Sequence, residues 1–259
     1  MTDPPLILTG MISAEAALYA KRRDILAIHV DQEMDHRKVE PLRRLASQQE
    51  LTLTREPRAA LDALADGQSH GGIVARVGER SFDTLEQLQG PFLVMLDGIE
   101  DPFNFGQAVR ALWAAGCDGL IVRPRNWMSA ATVVTRASAG ATELIPTALA
   151  DSPDQAAEHF RSRGYTIAAA TDKPGSSNLF TMSWSSPTFL LIGGEKRGIK
   201  RAFLDQADLA FQIPYGRDYE PSLGTVSATS IIAFDRLRSR AQADAGKRKS
   251  GRPQRKSRD

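Results

Sequence analysis

Residues 93–122 read LVMLDGIEDPFNFGQAVRALWAAGCDGLIV, and this stretch decides the fold class. An apolar run ends in an acidic turn with glycine and proline, a helix-like segment follows, and a second apolar run closes the stretch. Short runs that are apolar on both faces are typical of buried parallel strands. The stretch therefore predicts a strand–helix–strand unit of an α/β protein, with Asn104 as the helix N-cap and Arg110 two turns into the helix.

The same alternation continues to about residue 240. Further strands are predicted at YTIAAAT (165–171), TFLLIGG (188–194) and LAFQIP (209–214), with helices at ATVVTRASAGA (131–141), SPDQAAEHFRSRG (152–164) and after SLG (222–224). Gly116 and Gly164 suit helix C-termini. Alternating strands and helices predict a parallel sheet covered on both faces, and such sheets bind ligands at the carboxyl ends of their strands.

A smaller unit precedes this one. The runs ILAIHV (25–30), LTLTR (51–55) and GGIVARV (71–77) alternate with helix-period segments, which predicts a small α/β domain. We therefore expect a small domain over residues 1–80, a linker over 81–91, a larger domain over 92–240 and a tail over 241–259.

Composition narrows the class of protein. The chain has 259 residues, 42% hydrophobic and 25% charged, as in ordinary globular proteins. The single cysteine, Cys117, has no internal partner for a disulfide and is expected to be a small buried filler. The scattered histidines predict no metal site. No signal peptide or membrane span is recognisable, so we expect a cytoplasmic protein without a membrane partner.

The charge is uneven along the chain. Residues 241–259 carry seven basic and two acidic side chains, a net charge of +5, while the whole chain carries +2 and the remainder therefore −3. With no apolar residue larger than alanine, the tail is expected to be disordered. It is either a dock for a polyanion such as RNA or a solubilising end.

Two further strand ends carry polar or glycine-rich loops, LLIGGEKRGIK (190–200) and FQIPYGRDYEPSLGTVSATSII (211–232). The first of them has Gly193 and Gly198 at nucleotide-loop spacing. However, Glu195 occupies the glycine position of a dinucleotide fingerprint, and Ile199 with Lys200 replaces the Lys-Ser/Thr pair of a phosphate loop. Two glycines still allow a ligand to approach the backbone, and the acidic residue favours a cationic or neutral ligand over a phosphate.

In order and spacing these three strand ends resemble the three motifs of the SpoU (TrmH-type) family of RNA ribose methyltransferases, in the SPOUT superfamily. The resemblance spans about residues 92–240 and includes the segment SAGA at 138–141. The region ending in SHGGIVARV (69–77) is similar to the L7Ae/L30e-like substrate-binding domain often fused to this family. The residues that carry the resemblance are Asp101, Pro102, Asn104, Gly106, Arg110, Gly194, Glu195, Gly198, Ile213, Pro214, Ser222 and Leu223.

This resemblance implies a fold, a reaction and a set of site residues. The fold is a parallel-sheet methyltransferase domain with a C-terminal trefoil knot, in a homodimer. The reaction is transfer of a methyl group from S-adenosyl-L-methionine to a ribose 2′-hydroxyl of rRNA or tRNA, without a metal. The implied catalytic residues are Arg110, Asn104, Glu195 and Ser222. The implied cofactor-binding residues are Gly193, Gly194, Ile213 and Leu223.

The third motif departs from the family pattern at one position. The family has Ser-Leu-Asn, whereas this chain has Gly224 after Leu223. The missing amide leaves open a non-catalytic RNA-binding protein on the same fold, although Arg110, Asn104 and Glu195 are all retained. A nucleotide-dependent metabolic enzyme is a third hypothesis, and the failed glycine fingerprints argue against it.

Overall fold

The computed structural model describes residues 5–124, 130–171, 173, 175–184, 186–194, 196 and 198–250, with the backbone alone for 246–250. The described elements form a four-stranded sheet in the N-terminal part of the chain and a seven-stranded sheet in the rest.

The small sheet has the strand order β1-β4-β2-β3, in which only β2 and β3 pair in parallel. Its apolar face packs with α1 and α2 into a separate core that includes Leu8, Leu18, Val30 and Leu42. The elements are β1 (Leu6–Thr9), α1 (Met11–Ala20), β2 (Ile25–Asp31), α2 (His36–Ser47), β3 (Leu53–Glu56), α3 (Arg58–Leu64) and β4 (Ile73–Val77).

The large sheet has the order β7-β6-β5-β10-β8-β11-β9, and every described pairing in it is parallel, as predicted. Its strands are β5 (Phe92–Asp97), β6 (Gly119–Val122), β7 (Thr147–Leu149), β8 (Thr166–Ala170), β9 (Ser177–Asn178), β10 (Thr188–Gly193) and β11 (Leu209–Gln212). Its helices are α4 (Pro102–Ala114), α5 (Ala131–Ala137), α6 (Ala141–Leu144), α7 (Pro153–Ser162), α8 (Arg201–Leu204) and α9 (Thr225–Ser250).

Both faces of the large sheet are buried. Side chains alternate along each strand, so neighbouring residues pack into different cores. Phe92, Val94 and Leu96 of β5 belong to a core shared with α4 and α9, whereas Leu93 and Met95 belong to a second core shared with α7. This two-sided burial explains why the predicted strands read as continuous apolar runs.

Three described strands were not predicted, and all three lie at sheet edges: β1, β7 and β9. They are four, three and two residues long. Strands β7 and β9 are too short to show a period, whereas β1 is as long as the predicted edge strand β3, and its apolar run LILT was overlooked.

The residue predicted as the N-cap of α4 was wrong. Asp101, not Asn104, is the N-cap, because its carboxylate accepts a hydrogen bond from the Asn104 backbone N–H at 2.7 Å. Pro102 then occupies the first helical position, where its missing N–H costs nothing. Gly116 and Gly164 adopt positive φ just beyond α4 and α7, as predicted for helix ends.

The predicted disorder of the tail was wrong for its first ten residues. Helix α9 continues through residues 241–250, and residues 241–245 are exposed. Alanine, glutamine, lysine and arginine are strong helix formers, so α9 extends without needing a core to pack against. Residues 251–259 lie outside the described residues.

Candidate active site

The first and second motifs are neighbours at the carboxyl edge of the large sheet. Strands β5 and β10 pair in parallel with Asp97 opposite Gly193, so the loops that follow them leave the sheet side by side. Lys196 Nζ lies 2.6 Å from Glu100 Oε2 and ties the two loops together. The structure thus brings together two segments that are about one hundred residues apart in the sequence.

Glycines allow these two loops to pack closely. A Cβ added to Gly194 would lie only 2.1 Å from the Gly98 carbonyl oxygen, and one added to Gly193 would lie 2.7 Å from the Gly198 carbonyl carbon. Gly98 itself has φ of +76°, a conformation that favours glycine. Gly193 and Gly194 are therefore required by loop packing, whatever ligand they contact.

Arg110 lies on the solvent-facing side of α4. It is exposed and makes no ion pair or side-chain hydrogen bond with the part of the chain that the structure describes. Phe103 and Trp113, 52% and 41% exposed, flank it on the same helix. A cation without a partner among the described residues is suited to bind an anionic group of a ligand.

Asn104 is half-buried near the start of α4. Six residues of helix separate it from Arg110, about 9 Å along the axis and about a third of a turn around it. The two side chains therefore point to different sides of α4, and a ligand that contacts both must reach part of the way around the helix. Glu195, the third predicted catalytic residue, lies outside the described residues.

The third motif follows β11, two strands away from β10 at the same edge of the sheet. Ile213 packs against the core shared with α4 and α9, while Ser222 is exposed. The Leu223 backbone N–H donates a hydrogen bond to the Tyr215 hydroxyl at 2.9 Å, which ties the end of the loop to its start. Sequence reasoning missed Tyr215, since only tertiary structure pairs it with Leu223.

Ser222 was predicted to be either a helix cap or a loop hydroxyl, and it is a loop hydroxyl. Helix α9 begins at Thr225, and the Gly224 carbonyl accepts the first helical hydrogen bond, from Ala228 N–H, at 3.0 Å. Position 224 is thus where a capping side chain would stand. The missing asparagine deprives α9 of a side-chain cap, and glycine is an acceptable residue at such a position.

The SAGA segment packs between the first motif and the small domain, since a Cβ added to Gly106 would lie 3.1 Å from Ser138 N. Gly140, with φ of +80°, packs against α1 of the small domain, where an added Cβ would lie 2.5 Å from Ala16 Cβ. The neighbouring Glu143 is 1% exposed and pairs with Arg23 through contacts of 2.8 and 3.0 Å. A cavity of about 260 Å³ lies at the same junction, with Arg80 among its lining residues. Burial lowers the pKa of Arg80 to about 10.

Other sequence expectations concern single groups. Cys117 is buried, as predicted, and burial raises the pKa of its thiol to about 12. Among the described residues, no three His, Cys, Asp or Glu side chains are grouped to hold a metal ion. No helix in the described part of the chain is long and apolar enough to span a membrane.

The two regions of the chain that form the two sheets each match a protein-family model. Residues 91–234 match the SpoU rRNA methylase family. The chain belongs to that family. In this SpoU methylase, residues 7–82 match the model for RNA 2′-O ribose methyltransferase substrate binding, so the small sheet is the substrate-binding domain.

Similar proteins and solved structures match this SpoU methylase over most of its length. The 23S rRNA (guanosine-2′-O-)-methyltransferase RlmB of Shewanella oneidensis is 29% identical over 90% of this chain and 97% of the relative. A crystal structure of an RNA 2′-O ribose methyltransferase superposes with a TM-score of 0.75 at 21% identity, covering 92% of this chain and 90% of that one. The AdoMet-bound rRNA methyltransferase from Sinorhizobium meliloti superposes with a TM-score of 0.73 at 23% identity, covering 91% and 87%. These two likenesses establish the fold.

Proposed function

We propose that the protein transfers a methyl group from S-adenosyl-L-methionine to a ribose 2′-hydroxyl of rRNA or tRNA in the cytoplasm. The observation that carries the proposal is the meeting of all three motifs at one carboxyl edge, with Arg110 exposed on the helix that leaves it. Family membership and the similarity to RlmB support the choice of reaction.

The residues at this edge suit S-adenosyl-L-methionine. Gly193 is half-buried and carries no side chain, Gly194 is buried where the two loops meet, and Ile213 and Leu223 are half-buried apolar residues. Lys196 is neutralised by Glu100, so it repels a sulfonium little. We assign Gly193, Gly194, Ile213 and Leu223 to cofactor binding. The bound cofactor supplies a methyl group on a positively charged sulfur.

Arg110 is usually assigned in this family as the base that removes the ribose proton, but a guanidinium is a poor base because it stays protonated in proteins. It is suited to pair with the phosphate next to the target ribose and to stabilise the negative charge that develops on the 2′-oxygen. We assign Asn104 and Glu195 to the orientation of the ribose and of Arg110, and Ser222 to contact with RNA. These roles rest on the motif positions.

We also propose a homodimer and a knotted C-terminal segment. Helices α4 and α9 pack on each other, and both expose apolar side chains: Phe103, Trp113, Phe234 and Leu237 are 38% to 52% exposed. Exposed apolar groups of this size on adjacent helices favour burial against a second copy. The knot is supported by membership of the family alone.

The test is transfer of labelled methyl from S-adenosyl-L-methionine to unmodified total RNA. We expect label in alkali-resistant dinucleotides for the natural protein and its loss in Arg110→Ala, with cofactor affinity nearly unchanged. Because Arg110 is exposed in the single chain and without a described partner, the variant should fold, and its retained cofactor affinity verifies this.

The matched control is Arg161→Ala, an exposed arginine on α7, on the opposite face of the sheet. It should retain transfer. Equal loss of transfer and cofactor affinity in Arg110→Ala would show that Arg110 is misassigned. Absence of both transfer and cofactor binding in the natural protein would favour the non-catalytic RNA-binding hypothesis, which the absent amide at Gly224 motivates.

A further inference from the structure

The loop between β11 and α9 holds two exposed tyrosines. Tyr215 is 40% exposed and Tyr219 is 60% exposed. Their ring centroids lie 6.2 Å apart with the planes tilted by 47°. Large aromatic side chains are normally covered at least in part by the core, so a pair held in solvent on a loop indicates a surface for a ligand.

The loop holds these rings in place rather than leaving them free. The Tyr215 hydroxyl accepts the hydrogen bond from Leu223 N–H at 2.9 Å and thereby closes the loop on itself. Tyr219 then rests against the ring of Tyr215. A ring that is already ordered loses less entropy when it binds a flat partner.

The position of the pair connects it with the proposed active site. Ser222, assigned to RNA contact, lies three residues after Tyr219, and Leu223, assigned to the cofactor, is the residue bonded to Tyr215. The loop leaves the same carboxyl edge as the loops of Asp97 and Gly193. A ligand on the tyrosines therefore lies beside the groups that act on the ribose.

The charged side chains of this loop indicate which part of an RNA it binds. Arg217 is the one basic residue between Tyr215 and Ser222, against Asp218 and Glu220, and all three are exposed. A loop with this acidic excess repels phosphates. Aromatic rings bind the faces of unpaired bases, and this stacking tolerates a neutral or mildly acidic setting because the base carries no charge.

We propose that Tyr219, steadied by Tyr215, stacks on an unpaired nucleobase of the RNA next to the ribose that receives the methyl group. This rests on the proposed function, and it adds a base-binding position that the motifs do not contain. The tilt of the two rings leaves no flat slot between them, so the base lies on the outer face of Tyr219.

The experiment uses the full-length protein and a short single-stranded RNA that contains one 2-aminopurine, whose fluorescence is quenched by stacking. Tyr219→Ala should weaken binding of this RNA by about 5-fold to about 150-fold, the range for loss of one base–aromatic stack. Tyr219→Phe should retain both affinity and quenching, since the ring remains. Tyr215→Phe keeps the ring, and by removing the bond to Leu223 it should weaken binding less than Tyr219→Ala.

The control is Leu149→Ala, an apolar side chain that is 37% exposed on β7, at the opposite end of the strand order of the large sheet from the loop after β11. It should leave quenching unchanged. Affinity for S-adenosyl-L-methionine, measured by calorimetry, should be the same in Tyr219→Ala as in the natural protein, which also verifies that the variant is folded.

Unchanged RNA affinity in Tyr219→Ala would overturn the proposal. A fall in cofactor affinity with RNA binding retained would also overturn it, because the tyrosine would then serve the adenine of the cofactor. The binding assay requires no methyl transfer. Quenching that depends on Tyr219 in a protein without transferase activity would therefore support the base-binding position while contradicting the proposed reaction.

Discussion

The carboxyl edge of the large sheet and the junction between the two domains both contain segments that resemble SpoU motifs, yet they are built in opposite ways. At the edge, Arg110 and Ser222 are exposed and the loops meet through glycines. At the junction, Glu143 is buried and bonded to Arg23 and Thr135. Both carboxylate oxygens of Glu143 are thus hydrogen-bonded within the protein, whereas Arg110 has no described partner.

The difference teaches that resemblance to a family motif does not by itself indicate a ligand-binding residue. The SAGA segment joins the substrate-binding domain to the methyltransferase domain through contact of Gly140 with α1. Its sequence is therefore restricted by packing. Substitutions at the junction should act on stability, and substitutions at the edge should act on binding and transfer.

The largest expected effect is at the junction. Glu143→Ala leaves the Arg23 side chain, 7% exposed, without its partner. Removal of one member of a buried pair costs about 3–5 kcal/mol, so the free energy of unfolding measured in urea should fall by that amount. Replacement of both residues by methionine should recover most of the loss, because no unpaired charge remains.

The Glu143→Ala variant tests directly whether the junction and the carboxyl edge have different roles. If Glu143→Ala retains its stability and loses RNA methylation instead, the junction belongs to the functional site and the contrast with the carboxyl edge fails. The affinity of the same variant for S-adenosyl-L-methionine shows whether the methyltransferase domain is also affected. It should be unchanged at temperatures at which the variant is folded.

A smaller effect is expected where the two edge loops touch. Gly194→Ala forces a methyl group into the backbone of Gly98, and overpacking of this kind costs about 1–3 kcal/mol. The loops must separate, so affinity for S-adenosyl-L-methionine should fall with stability. Gly78→Ala is the matched control, because its added Cβ would lie 3.6 Å from Asp24 in ordinary contact. Retained cofactor affinity in Gly194→Ala would place the cofactor elsewhere.

The smallest effect is expected at the start of α9. Gly224→Asn restores a side-chain cap and should stabilise the protein by a few tenths of a kcal/mol, without a change in methyl transfer. Chemical unfolding and transfer to total RNA check the two parts. A marked rise in transfer would mean that the asparagine amide acts on the substrate, and that the natural chain is a weak enzyme for lack of it.

The sequence alone determined the parts of the fold that depend on short-range patterns. Apolar runs predicted β5, β6, β8, β10 and β11, because strands buried on both faces carry no polar alternation. Spacing within the three motifs was sufficient to identify the family, because chemistry at strand ends requires particular residues in a particular order. The edge strands β7 and β9 stayed hidden for the opposite reason, because two or three residues define no period.

Tertiary structure decided what the motifs do for one another. Only the parallel register of β5 with β10 places Asp97 beside Gly193, and only the packing of α1 against Gly140 assigns the SAGA segment to the junction. The sequence likewise shows two tyrosines four residues apart, and the structure shows one of them bonded to Leu223. Local pattern carries the choice of helix or strand, whereas contacts between distant segments depend on how the whole sheet is assembled.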